Sequence, residues 1–157
     1  MIHFRNDVRR GGADGRSLKA AARRLMEALG EEGSSVSLSL VNDETMRQLN
    51  HRHRGKDVPT DVLSFPMREK HTPAQESSGY GPPEDILGDV VISVDMAKRQ
   101  AADYGAPLQR ELERLLIHGL LHLIGHDHHA SRERNVMEAE ERRLAQCIGM
   151  PWPYRAR

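Results

Sequence analysis

Within HGLLHLIGHDH, residues 118–128, three histidines stand four and six apart, at His118, His122 and His128. Four residues is about one helical turn, so His118 and His122 fall on one face of a helix. Two imidazoles so placed can bind one metal ion from the same side, and zinc takes nitrogen ligands of this kind. Gly125 lies between the second and third histidines, where a glycine can take the conformation that turns the chain back. The spacing is that of the zinc signature H-E-x-x-H-x-x-G-x-x-H, which makes His128 the third ligand. The glutamate of that signature is missing, and Gly119 occupies its place. Three histidines leave one position of a tetrahedral zinc open to water, whose pKa zinc lowers to about 7. The site therefore reads as hydrolytic rather than structural.

The alternatives at this site are concrete. His118 and His122 could form a hydrogen-bonded core pair without metal. His126 and His129 flank His128 and compete for the third position, which spacing gives to His128. Asp127 is either an acceptor for a ligand N–H or a solvated loop carboxylate. A peptidase uses the missing glutamate as its base, so peptide hydrolysis here would need Glu111 or a loop carboxylate instead. RNA offers another route, because its 2′-OH is an internal nucleophile and phosphoryl chemistry rests on positioning and charge stabilisation. HRHRGKD, residues 51–57, supplies candidate cations in Arg52, Arg54 and Lys56, each readable as phosphate-binding or as part of a solvated turn. Gly55 lets backbone approach a ligand or simply makes the turn.

These residues need elements to hold them. From Leu108 to Ile124 the chain is apolar nearly all round, which predicts a buried helix carrying both histidines. Upstream, 2–8 reads as a strand. Ser17 is the expected cap of a helix running to Leu29, with Leu18, Ala21, Ala22, Leu25 and Met26 on one stripe. SVSLSLV, 35–41, alternates as a strand with one buried face, and Asn42 caps a short helix over 43–53 with Met46 and Leu49 inward. Strands follow at 61–65 and 86–94, separated by a stretch rich in Pro, Gly and Ser, and helical patterns cover 95–104, 107–124 and 131–148. Asp61 and Asp89, at strand starts, read as structural. Met137 reads as a core methionine rather than one lying beneath a metal, and Tyr80 as a weak candidate for stacking on a base. A helix between the first two strands implies a parallel crossover, and a bare loop between the last two favours an antiparallel edge pair. The expected fold is α+β, a mixed sheet of about four strands packed with five or so helices, in one domain over residues 1–157 with no internal repeat.

Composition narrows the function classes. The 157 residues carry 23 basic and 23 acidic side chains, so there is no overall basic footprint for nucleic acid, though a local basic patch is compatible with that balance. A single cysteine, Cys147, excludes an internal disulfide and fits a reducing compartment. No apolar run approaches the roughly 20 residues of a membrane span, and MIHFRNDVRR lacks the apolar core of a signal peptide. A soluble cytoplasmic protein is expected.

HGLLHLIGHDH closely resembles the signature of the YbeY family, bacterial endoribonucleases of ribosomal RNA maturation, in which glycine also follows the first histidine. LNHRHRGKDVPTDVLSFP, 49–66, is similar to that family's arginine-containing segment and its TDVLSFP strand. LGDVVIS, 87–93, resembles its next strand and MEAEERRL its final helix, so the likeness runs from about residue 42 to the C-terminus. The resemblance implies a metzincin-like α+β fold, with one zinc per chain held by His118, His122 and His128. It implies cleavage of single-stranded RNA, with Arg54 as the functional arginine. It also implies a role in maturing the 3′ end of small-subunit ribosomal RNA and in ribosome quality control. The implied partners are RNA and the small ribosomal subunit, with no DNA and no membrane. His126 stands where the family often has tyrosine, and His53 where an aromatic residue is frequent before the arginine. Two other readings stay open: a zinc hydrolase of a peptide or small molecule, and a non-catalytic, zinc-stabilised ribosome assembly factor.

Overall fold

The computed structural model describes residues 1–68, 85–127 and 130–152. In chain order these form β1 (Ile2–Asn6), α1 (Gly15–Ala28), β2 (Ser35–Val41), α2 (Asp43–Arg54), β3 (Val62–Pro66), β4 (Ile86–Ser93), α3 (Val94–Asp103), α4 (Leu108–Leu123) and α5 (Ser131–Cys147). The strands make one sheet in the order β1-β2-β4-β3. β1 runs parallel to β2, from Ile2 beside Val36 to Asn6 beside Leu40, and β2 runs parallel to β4. β3 is antiparallel to β4, with Val62 opposite Ile92 and Pro66 opposite Gly88, and forms one edge of the sheet. The helix between β1 and β2 is what makes that pair parallel, as the sequence predicts.

The two faces are covered unequally. On the first, Val36, Leu38 and Leu40 of β2 and Val90 and Ile92 of β4 join Leu18, Ala22 and Leu25 of α1 and the apolar side chains of α4 in the main core. On the second, Val41, Met46, Leu63 and Val91 form a small cluster, with Leu49 and Phe65 packed against it. β4 is buried along most of its length, as an inner strand clad on both sides must be.

Helix ends follow local chemistry, with one correction. The cap of α1 is Asp14, not Ser17: the Asp14 carboxylate accepts the Ser17 N–H at 3.0 Å, and the helix begins at Gly15. Gly15 packs so closely on the Phe4 ring that a Cβ there would lie 2.8 Å from Phe4 Cε1. Asn42 caps α2 as expected, accepting the Thr45 N–H at 2.9 Å. Beyond β3, the Arg68 guanidinium is clasped by Glu31 (2.7 Å) and Asp85 (2.7 Å). This ties the α1–β2 connection to the outer ends of β3 and β4. Most of the stretch rich in Pro, Gly and Ser, including Tyr80, lies outside the described residues. No described helix is long and apolar enough to cross a membrane.

Candidate metal centre

Helix α4 is buried nearly all round, as its composition predicts. Beyond its first turn, only Arg114, His118 and His122 are less than fully buried, and all three fall on one arc of the helix. The structure brings the two imidazoles together there. Their Nε2 atoms are 3.1 Å apart, and the rings meet edge to face with centroids 4.6 Å apart. Two nitrogens bound to one tetrahedral zinc at 2.0–2.1 Å would be about 3.3 Å apart. The pair therefore fits two ligands of one ion with little adjustment. Among the described residues no group of three or more His, Cys, Asp or Glu side chains could hold a metal ion. His118 and His122 are a pair, and His128 and His129 lie outside the described residues. His126 and Asp127 are half-buried just beyond Gly125, whose φ of +98° supplies the turn expected of it.

Gly119 lies about 100° around the helix from His118 and faces the sheet. A Cβ at this position would lie 2.7 Å from Cγ1 of Val90 and 3.3 Å from Oγ of Ser64. The Ser64 hydroxyl donates to the Gly119 carbonyl at 3.0 Å, pinning the middle of α4 to the edge strand. The place of the signature glutamate is therefore occupied by the sheet. Glu111, the other carboxylate considered as a base, is fully buried and takes Arg114 Nη2 at 2.6 Å and Nε at 3.1 Å. Its carboxylate is committed to that ion pair.

Arg114 has no part in what the sequence leads one to expect of this helix, which is a core, the histidines and Glu111 as a possible base. The available signal was its spacing, four residues before His118. Besides Glu111, its guanidinium reaches Gln100 Oε1 at 3.5 Å, and Gln100 Nε2 reaches Asp61 Oδ2 at 3.4 Å. Asp61 also accepts the Val62 N–H at 2.8 Å, in keeping with the structural part expected of it. Asp89 is half-buried within β4, beside Ser37 and Phe65. Met137 is 1% exposed and belongs to the main core.

Arg54 ends α2, and Gly55, at φ +70°, caps it with its N–H on the His51 carbonyl at 3.0 Å. Asn50, buried, donates to the Val58 carbonyl at 2.8 Å and folds the following loop back. Arg52, Arg54 and Lys56 are exposed, and none makes an ion pair among the described residues. The His53 ring packs on Phe65 with centroids 4.8 Å apart. Adjacent β3 residues thus serve both candidate groups from opposite faces: Ser64 anchors the histidine helix, and Phe65 carries the end of α2.

Comparison with known proteins identifies the family. The family model described as Endoribonuclease YbeY matches residues 5–149. An endoribonuclease YbeY of Geobacillus thermodenitrificans is 44% identical over 76% of this chain and 76% of its own. That of Pelotomaculum thermopropionicum is 47% identical over 79% of each, and that of an Anaeromyxobacter species 42% identical over 95% of this chain and 72% of its own. The solution structure of a Thermotoga maritima protein superposes with a TM-score of 0.64, is 24% identical, and covers 94% of this chain and 89% of that one, a likeness of fold. With a family match spanning most of its length and relatives above two-fifths identity, this chain belongs to the endoribonuclease YbeY family.

Proposed function

We propose that this protein is a zinc-dependent endoribonuclease that cuts single-stranded RNA, with His118, His122 and His128 as the metal ligands and Arg54 as the residue that steadies charge on the phosphate. The observation that carries this reading is the packing of Gly119. A site whose base position is filled by Val90 suits a substrate that brings its own nucleophile, as RNA does with its 2′-OH, better than a peptide. A metal held by this arc would polarise a phosphoryl oxygen and acidify water. The chain's own residues do the rest. Arg54, at the end of α2 and without an ion pair among the described residues, is available to hold a phosphate oxygen by charge-assisted hydrogen bonds. Arg52 and Lys56 add positive charge beside it. Arg114, one turn from His118, is held in place by its ion pair with Glu111 and presents guanidinium N–H groups rather than net charge. On this reading the substrate is ribosomal RNA near the 3′ end of its small-subunit strand, and the work is done in the cytoplasm with the small ribosomal subunit.

The test pairs elemental analysis with cleavage. Purified protein should hold one zinc per chain and cut a labelled single-stranded RNA while leaving an unfolded peptide substrate intact. His122→Ala should lose both the metal and the cleavage. Cleavage of the peptide but not the RNA would favour the zinc hydrolase alternative, and full metal retention by His122→Ala would sink the site as drawn.

A further inference from the structure

The sequence balance of zero net charge conceals a strong segregation. Up to Ala28 there are seven basic and three acidic residues, against 16 basic and 20 acidic in the remainder. The structure collects four of the cations on α1. Arg16, Lys19 and Arg23 recur at helical spacing on the solvent side, with Arg24 beside them and Arg9 and Arg10 in the approach to the helix. None of these six side chains makes a hydrogen bond or ion pair among the described residues.

A solvated helix face is the simple explanation, and α5 shows what that looks like in this protein. Its 17 residues carry four arginines and four glutamates, an evenly mixed face, and Arg143 is paired with Glu140 at 2.7 Å. Elsewhere Arg47, Arg99, Arg110 and Arg114 also have carboxylate partners. On α1 only Glu27 stands against four cations. Like charges three and four residues apart destabilise a helix, so an unmixed stripe is a local cost without a local return. Arg16 to Arg23 spans about 10 Å of helix, long enough to meet more than one phosphate of a polyanion.

We infer that the exposed face of α1 is a second RNA-binding surface, separate from the histidine site. The inference rests on the endoribonuclease reading, since it is the RNA substrate that supplies a polyanion long enough to reach both. α1 packs on β1, the edge of the sheet opposite β3. α1 meets the first turn of α4, where Asp14 bonds Gln109, and His118 lies nine residues further along that helix, roughly 14 Å away. A short oligonucleotide at the histidines would not touch α1, whereas a longer strand would.

The test compares wild type with a variant carrying Arg16→Gln, Lys19→Gln, Arg23→Gln and Arg24→Gln, all on the outside of the helix and all keeping good helix formers. Binding of a six-nucleotide and a forty-nucleotide single-stranded RNA is followed by anisotropy over a salt series, with cleavage of both. The variant should bind the long RNA on the order of 100-fold more weakly at 0.1 M salt, with a slope of log affinity against log salt shallower by about 2 to 3. Binding and cleavage of the short RNA should match wild type. A second variant, Arg16→Lys, Arg23→Lys and Arg24→Lys, should keep the wild-type slope because it keeps the charge. Unchanged binding of the long RNA overturns the inference, as does equal weakening on both RNAs, which would place these cations in the histidine site. Wild type that cuts neither RNA overturns the endoribonuclease reading and this inference with it. Binding to vesicles with 30% anionic lipid, lost in the glutamine variant while RNA binding is untouched, would assign the stripe to a membrane surface instead.

Discussion

Gly119→Ala adds one methyl at the point where α4 meets the sheet, and two effects oppose each other. Alanine in place of glycine within a helix favours folding by roughly 0.5–1 kcal/mol. The new methyl would lie 2.7 Å from Val90 Cγ1 and 3.2 Å from Cγ2, and Val90 is fully buried, so its short side chain has no free space to move into. Overpacking of this kind costs about 1–3 kcal/mol, and the immobile neighbour argues for the upper half of that range. The expected net loss is about 1–2 kcal/mol, or a Tm lower by about 2–8 °C in a chain of this size. Denaturant melts with and without Val90→Ala isolate the cause. Val90→Ala alone should cost about 2 kcal/mol as a cavity. In that background Gly119→Ala should become neutral or stabilising, a coupling of about 1–3 kcal/mol. Gly119→Glu, which restores the peptidase-type signature, should disrupt the helix–sheet contact and gain no peptidase activity. A higher Tm for Gly119→Ala in the wild-type background would refute the steric account, and the missing glutamate would then need another reason.

Three further outcomes are expected. Zinc content should fall in His128→Ala and hold in His129→Ala, with His126→Ala measured alongside; equal loss from His128 and His129 variants means the third ligand is misassigned. Arg54→Ala should keep its zinc and Tm while single-turnover RNA cleavage slows on the order of 100-fold to 1,000-fold, and Arg54→Lys should recover only part of that, since lysine lacks the two-pronged geometry. Wild-type cleavage by Arg54→Ala would reduce Arg54 to a solvated turn residue. The Arg68 guanidinium beside Glu31 holds its carboxyl below the ordinary glutamate value of 4.5, with Ser34 assisting and burial opposing. A depressed folded pKa stabilises above the ordinary value and is lost as pH falls through the folded one. Glu31→Gln should therefore melt below wild type at pH 7, with the gap closing as pH falls below the ordinary glutamate value and through the depressed folded one; a gap that persists in strong acid would show that the ion pair is not its source.

The sheet was legible because its strands advertise themselves with period two and because connection length dictates pairing sense. Val36, Leu38 and Leu40 alternate with serines, and the helix between β1 and β2 leaves little choice but a parallel pair. The histidine pair was legible for the same reason, since a spacing of four is a statement about one helix face. Contacts between distant segments carry no such period. Nothing local to Ser64 announces that its hydroxyl will hold Gly119, 55 residues on. Nothing in an apolar helix announces that Glu111 will be buried and held by a partly exposed Arg114. At the start of α1, Asp14 and Ser17 are both good caps, and the helix starts at the earlier one, where Gly15 lies flat against Phe4.

The same contact that closes the base position also helps to define what the site can use instead. Because Gly119 has no side chain, α4 can lie against β4 and β3 closely enough for its carbonyl to take the Ser64 hydroxyl. Its histidine arc is thereby fixed relative to the edge strand, whose next residue, Phe65, supports the end of α2 through His53. A bulkier residue at 119 would lift the helix and change the relation between the imidazoles and β3 without touching either histidine. The absence of a side chain at 119 and the seating of the helix thus go together, and on the proposed reading the cations of α2 are the groups offered to the phosphate charge. That links the chemistry to the packing: if Gly119→Ala is destabilised by its contact with Val90, its RNA cleavage should fall even in molecules that remain folded and keep their zinc, and Val90→Ala should restore part of the rate as well as part of the stability.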